Sequence, residues 1–392
     1  MKRKTMYILC IIAVVILTGT IIILLPDKIH YETVIADEKT DLFPVTVNGL
    51  CGYIDNKGRM AIKPQFDVAK DFSEGIAFVK LEKDAGKKDA PFYAIDKKGN
   101  ILFKTPYYYG HEFHYGVANV ASEYHDEHFL YGLINKEGKI VSELKYSVDF
   151  RFTEDGLAAN NDTTTGKSGY VDNTGKVAID FKYDRTDGFY NGLAVVGDKG
   201  ELKVMDKKGN ELRTLKKGIS YSTFNEGLAA ISEDNKTGLI DINGNVIIEP
   251  SKDFDVIMPF SDGIAAFKTT HDGKFGFIDK QGKIVIEPKF NNENGFSDGT
   301  CIVKVNEKFG IIDKTGKYII NPEFDEIHSF SEGMALVSTE KGCGYINREG
   351  KVVIEPKFDD ADCFRNGLAW VKIGDKTGYI DKTGKYVWKP TK

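Results

Sequence analysis

The chain lacks every short signature that usually announces an enzyme. There is no Gly-x-Ser-x-Gly elbow, no glycine-rich phosphate loop, no His-Glu-x-x-His pair and no EF-hand loop. Carboxylates are abundant but scattered, and no pair of them can be singled out for glycoside hydrolysis. Five cysteines include no Cys-x-x-Cys, and no spacing suits zinc. One of them, Cys10, lies in an apolar stretch. The other four, Cys51, Cys301, Cys343 and Cys363, read as small buried thiols, with one bridge such as Cys343–Cys363 as the alternative. There is no excess of positive charge either. The net charge is −5 although Lys2, Arg3 and Lys4 are all basic, so the body is acidic, which argues against a nucleic-acid partner. Proline is scarce, at 11 residues, and the 40 glycines show no period of three, which excludes a collagen-like chain.

Only one long hydrophobic run is present. Thr5 to Leu25 carries no charge and is rich in Ile, Val and Leu. A bilayer core needs about 20 apolar residues in a helix, so residues 5–25 are predicted to be a transmembrane helix. The run exceeds the roughly 7–15 apolar residues of a cleaved signal peptide, and no small-residue cleavage site follows closely. It reads as a signal anchor. The basic tail, residues 1–4, is expected to stay cytoplasmic, and everything after Pro26 to face outward. Residues 26–41 read as a linker.

What fills the remainder is a repeat. Its cleanest copy runs Gly344-Tyr-Ile-Asn-Arg-Glu-Gly-Lys-Val-Val-Ile-Glu-Pro-Lys-Phe358. The Asp or Asn of this copy recurs at Asp55, Asp96, Asn135, Asp172, Asp206, Asp241, Asp279, Asp313, Asn347 and Asp381. Strand A of a unit is typified by Leu368-Ala-Trp-Val-Lys372, rich in strand formers. Strand B follows, as in Gly378-Tyr-Ile-Asp381. An Asp-x-x-Gly turn then leads to strand C, as in Lys351–Glu355. Proline is expected to end strand C, at Pro64, Pro250, Pro288, Pro322, Pro356 and Pro390. A connector brings a phenylalanine (Phe66, Phe290, Phe324, Phe358), expected in the core, and then a second turn such as Phe330-Ser-Glu-Gly333.

The expected fold class is therefore all-β: a tandem array over residues 42–392 of about ten three-stranded antiparallel meanders, preceded by one transmembrane helix. The array begins with a strand A and ends with a strand C, with no blade split between the termini. An open, curved or superhelical stack is expected on that ground, and a closed propeller-like ring is the alternative.

The pattern G-Y-I-D-x-x-G-K-x-V-I-x-P-x-F-D…F-S-E-G-x-A-x-V resembles the bacterial WG repeat, also called KWG, over nearly all of residues 42–392. The tryptophan of the Trp-Gly dipeptide is missing here. Cys51-Gly52, Tyr131-Gly132, Ser168-Gly169, Thr237-Gly238, Phe275-Gly276, Phe309-Gly310, Cys343-Gly344 and Thr377-Gly378 stand in its place. The resemblance implies a β-repeat fold and an interaction role. It implies no catalytic residue and no cofactor.

One stretch departs from the pattern. Residues 107–129 hold Tyr107, Tyr108, Tyr109, Tyr115, Tyr124 and Phe129, together with His111, His114, His125 and His128. The histidines are weak candidates for a metal site, because nothing predicts the helix that would align them. The aromatics are the better candidates for ligand binding, since such loops supply contact area at low entropic cost. The functional expectation is a non-catalytic module at the cell envelope, anchored in the membrane and binding a protein or a wall glycan. An envelope hydrolase and a structural spacer are the alternatives.

Overall fold

The computed structural model describes residues 14–17, 20–23, 34–81, 90–105, 107, 109–122, 129–215, 220–222, 224–292 and 294–391. Within the apolar N-terminal run, Val14–Leu17 and Thr20–Ile23 pair as an antiparallel hairpin, where the sequence predicts a helix. Valine and isoleucine are stiff, β-branched strand formers, and pairing two short runs of them bonds their facing edges. No described helix is long and apolar enough to cross a membrane. The rest of the expected span, the tail 1–4 and residues 26–33 of the expected linker lie outside the described residues.

From Leu42 onward the described residues form ten antiparallel blades in sequence order, the first and second joined in one six-stranded sheet and the third and fourth in one seven-stranded sheet. The tenth shows the plan: Asp360–Ala361, Leu368–Ile373, Lys376–Asp381 and Tyr386–Thr391, each hydrogen-bonded to the next. The last three are the expected strands A, B and C. The first corrects the three-stranded expectation: part of the connector pairs with strand A as a short fourth strand. The same strand appears at Arg185–Thr186, Ser220–Tyr221, Val256–Ile257 and Glu326–Ile327, and as the longer Tyr109–His114 in the third blade. Two residues in an irregular connector leave no periodicity to read.

The turns follow the local chemistry. At each B–C turn the hallmark side chain bonds the backbone ahead of it. Asp381 Oδ1, for example, accepts the N–H of Thr383 and of Lys385, and Asp96, Asp206 and Asp313 do the same. These residues shape turns.

Strand C does not end at its proline. Pro288, Pro322, Pro356 and Pro390 all lie inside it, as in Val352–Phe358. The register explains this: Cys343 faces Phe358 and Tyr345 faces Ile354, so strand C bulges between them. Proline sits in the bulge, where no ladder hydrogen bond is required. Opposite the bulge sits the glycine of the dipeptide. A Cβ on Gly344 would lie 2.5 Å from the Ile354 carbonyl oxygen and 2.7 Å from Pro356 N, and the same approach recurs at Gly52, Gly238, Gly276, Gly310 and Gly378. Glycine is needed here for space, because strand C crosses directly over it.

The core is shared between neighbours. Phe66, Phe290, Phe324 and Phe358 are all buried, as expected. Each cluster draws on adjacent blades: one joins Tyr345, Ile354 and Phe358 to Phe364, Ala369 and Val371. Tyrosine of strand B makes a regular inter-blade bond. The hydroxyls of Tyr53, Tyr170 and Tyr345 donate to the carbonyls of Lys70, Asp187 and Asp362, each in the next blade's short-strand segment.

The two ends of the array meet. Phe43, Val45, Val47, Ile54 and Met60 of the first blade pack with Leu368, Tyr379 and Trp388 of the tenth. Tyr379 makes the inter-blade bond to Pro44 O at 3.1 Å, and Thr391 Oγ1 donates to Thr46 O at 2.6 Å. The array therefore closes on itself by side-chain packing, and the expected open stack gives way to its closed-ring alternative. Among the described residues no sheet closes into a barrel.

Among the described residues the first blade has no short strand. The carbonyls of Pro44 and Thr46, which such a strand would bond, are capped by Tyr379 and Thr391, and Pro44 has no N–H to leave bare. The short-strand edges point to the ring axis. Arg365 of the tenth blade reaches Asp71 of the second at 3.0 Å, across the first, and blades two apart can meet only on the axis side. Strand C lies at the perimeter, where Val177, Ile247, Ile284 and Val353 are exposed.

All four described cysteines are free, so the Cys343–Cys363 alternative does not occur. Burial pushes the Cys301 thiol up to about 12. Cys301 should react with a disulfide reagent only as fast as the ring opens. Labelling in native buffer as rapid as in denaturant would contradict its burial.

Candidate binding site at the third blade

Most blade junctions on the face carrying the turns are clamped alike. The acid before the glycine of this turn sits in a left-handed conformation, as at Glu74, Glu226, Asp262 and Glu332 (φ of 49°, 50°, 59° and 51°). Its carboxylate accepts the N–H of the matching glycine in the next blade and pairs with a lysine of that blade's B–C turn. Glu74 takes Gly116 N and Lys136, each at 3.0 Å. Asp155 takes Gly192 N at 3.2 Å and Lys207 at 2.6 Å. Glu226 takes Gly263 N and Lys280, and Glu332 takes Gly367 N and Lys382. Asp298 pairs with Arg348 at 2.8 Å.

These contacts set the carboxyl ionisation. The Lys207 hydrogen bond holds Asp155 below the ordinary carboxylate value, and Lys314 does so for Asp262. At Glu332 burial pushes upward, but Lys382 and the Gly367 N–H outweigh it and the net shift is downward. A carboxyl lowered on folding stabilises the fold above its unfolded value, about 4, and that contribution is lost as pH falls through the folded value. Glu332→Gln should therefore lower the melting midpoint at pH 7 and make little difference at pH 3. An equal effect at both values would contradict the clamp.

Four junctions lack the pair. Between the first and second blades Lys97 is kept but donates to the Glu38 and Thr40 carbonyls, each at 2.7 Å. At the other three both partners differ: Tyr115 with Asn173, Asn191 with Ile242, and Asn366 with Asn56. Asparagine tolerates the left-handed turn (φ of 49° at Asn191 and 51° at Asn366). Tyr115 holds the same geometry, φ 56°, with a bulky side chain, at a cost of roughly 1–3 kcal/mol. Its ring is 50% exposed and meets Phe152 of the fourth blade edge-on, with centroids 6.2 Å apart. Phe152 stacks on buried Phe150, whose backbone N–H and carbonyl are both held by the Asn119 side chain.

A depression of about 470 Å³ lies against these rings, on the axis side. Its polar lining includes Lys70 of the second blade, Glu112 and His114 of the third, and Asp149 and Arg151 of the fourth. His114 Nε2 lies 4.0 Å from Glu112, and Arg151 pairs with Asp149 at 3.5 Å.

The sequence candidates separate here. Tyr115 lines the depression, with His114 beside it. Tyr107 is half-buried against the core of the second and third blades, and burial pushes its phenol up. Phe129 is half-buried. Tyr109 and His111 belong to the short strand, with only their backbone described, and Tyr108, Tyr124, His125 and His128 lie outside the described residues. No described group of histidine, cysteine or carboxylate side chains could hold a metal ion. Phe152, Arg151 and Lys70 were missed by the sequence reading. Aligning the turns, with Tyr115-Gly116 against Glu74-Gly75, would have marked the junction.

The repeat identity rests on the strand B dipeptide, the Asp-x-x-Gly turn and the bulged strand C. The WG containing repeat matches residues 52–83, 131–161, 169–200, 238–274, 275–309, 309–342 and 344–376, more than half of the chain. The chain belongs to the WG-repeat family. In this WG-repeat ring the glycine of the dipeptide keeps its packing role although no tryptophan precedes it. No curated protein matches the chain. Among solved structures it is similar to a eukaryotic initiation factor (10% identity, 89% of this chain and 95% of that one, TM-score 0.49). It is also similar to Kluyveromyces lactis Hsv2 (11%, 66% and 91%, TM-score 0.36) and to PorZ of Porphyromonas gingivalis (10%, 93% and 60%, TM-score 0.28).

Proposed function

We propose that this WG-repeat protein is a non-catalytic binding module of a bacterial cell envelope, held by residues 5–25 in the membrane with its ring outside. The observation that carries the reading is the third junction. There the ring gives up a repeated clamp, accepts a strained tyrosine and gains a recess. The other conspicuous side chains have structural partners: the hallmark acids in turns, the phenylalanines in the core and the turn acids in clamps. The anchor rests on the uncharged run behind Lys2-Arg3-Lys4. In a bilayer a two-stranded hairpin leaves its outer edges unpaired, whereas a helix satisfies every backbone group.

Co-sedimentation of the protein with separated wall and membrane fractions of its host tests this. Pelleting with purified wall glycan, or with membranes in a protease-sensitive way, supports a binding module. Remaining in solution with both contradicts it and leaves the spacer.

A further inference from the structure

Resting on that reading, we propose that the recess between the third and fourth blades binds a neutral saccharide, seated with its C–H face on Tyr115. Three observations converge. The half-exposed ring of Tyr115 and the half-buried ring of Phe152 meet edge-on as an apolar wall backed by buried Phe150. The charged lining is balanced, with Lys70 and Arg151 against Glu112 and Asp149. A balanced lining offers both donors and acceptors but has no net pull on an anion or a cation. Sugar hydroxyls can donate and accept at once, and they answer both kinds of partner. The volume, about 470 Å³, falls in the roughly 300–1,000 Å³ range of small-molecule sites and suits one or two sugar rings.

The site also accounts for the local departures from the repeat. At the clamped junctions the turn acid is tied to the next blade, as Glu74 is tied to the third. Tyrosine leaves the junction unclamped and turns an aromatic face to the recess. Residue 173 is asparagine rather than lysine, so no orphaned cation remains.

Saturation-transfer NMR on the full chain in a sugar-free detergent, with cellobiose, chitobiose, maltose and lactose as probes, tests this. Transfer to the ring C–H protons of at least one probe is expected. Binding should weaken at least ten-fold in Tyr115→Asn, a residue that the fifth and tenth blades already carry at this turn. Phe152→Leu should weaken it without altering the fold. Absence of transfer to all four probes, or transfer that survives Tyr115→Asn, overturns the proposal. So does binding confined to phosphate or to peptides. If the saccharide proposal fails while the chain still pellets with envelope fractions, the binding-module reading stands on another surface. If pelleting is also lost, both fail.

Discussion

Trp388→Ala should cost about 4 kcal/mol, near the upper end for a single substitution in this chain. The tryptophan is 8% exposed and lies in the cluster joining the tenth blade to Phe43, Val45, Val47, Ile54 and Met60 of the first. Its indole N–H donates to Thr391 Oγ1 at 3.1 Å, and Thr391 in turn caps Thr46 O. Removing the ring opens a cavity at the seam and loosens the cap on the first blade's bare strand edge. A free edge is a template for pairing with another chain, so the variant should also self-associate as it is heated. Calorimetry with light scattering reads both effects. Were the array open at its ends, Trp388 would lie on a terminal surface and its loss would cost well under 1 kcal/mol.

Gly344→Ala should cost about 3 kcal/mol, although it adds one methyl to a backbone free of unusual torsion. The added carbon would lie 2.5 Å from the Ile354 carbonyl oxygen, and backbone cannot rotate aside as a side chain can. Gly367→Ala is the matched control. Nothing lies within 4 Å of its Cβ position, and its φ of 84° makes the penalty one of strain alone, about 1 kcal/mol. Denaturant midpoints compare the two. An equal or larger loss at Gly367 would contradict the view that the family's glycine is kept for space.

What the sequence showed clearly was chemistry that acts within a unit. The hallmark Asp or Asn bonds its own turn two and four residues on, so it reads as a turn former without reference to any other blade. The phenylalanine that follows each strand C recurs with the period, and burial is the simplest reason for a recurring large apolar residue. What stayed hidden depends on partners far away or on small angles summed. Closure rests on Tyr379 with Pro44 and Thr391 with Thr46, pairs that no period marks. The proline reading failed because its tolerance lies in the facing glycine, across the sheet. At the site, composition singled out residues 107–129; of the side chains it named, Tyr115 and His114 line the recess, beside Glu112, Val117 and Asn119 of the same segment. The other lining residues come from the neighbouring blades, which the chain order separates.

The most direct test of the ring is a distance across its seam. Spin labels at Asn48 and Asp375, in the A–B turns of the first and tenth blades, would be placed in a background with the five native cysteines replaced by alanine. Labels at Lys341 and Asp375, on the adjacent ninth and tenth blades, give the reference separation. Closure predicts that the two pairs show similar, short distances by pulsed electron resonance. A first-to-tenth distance far longer than the reference, or one spread broadly, would mean that the ends do not meet, and the closed ring would be wrong.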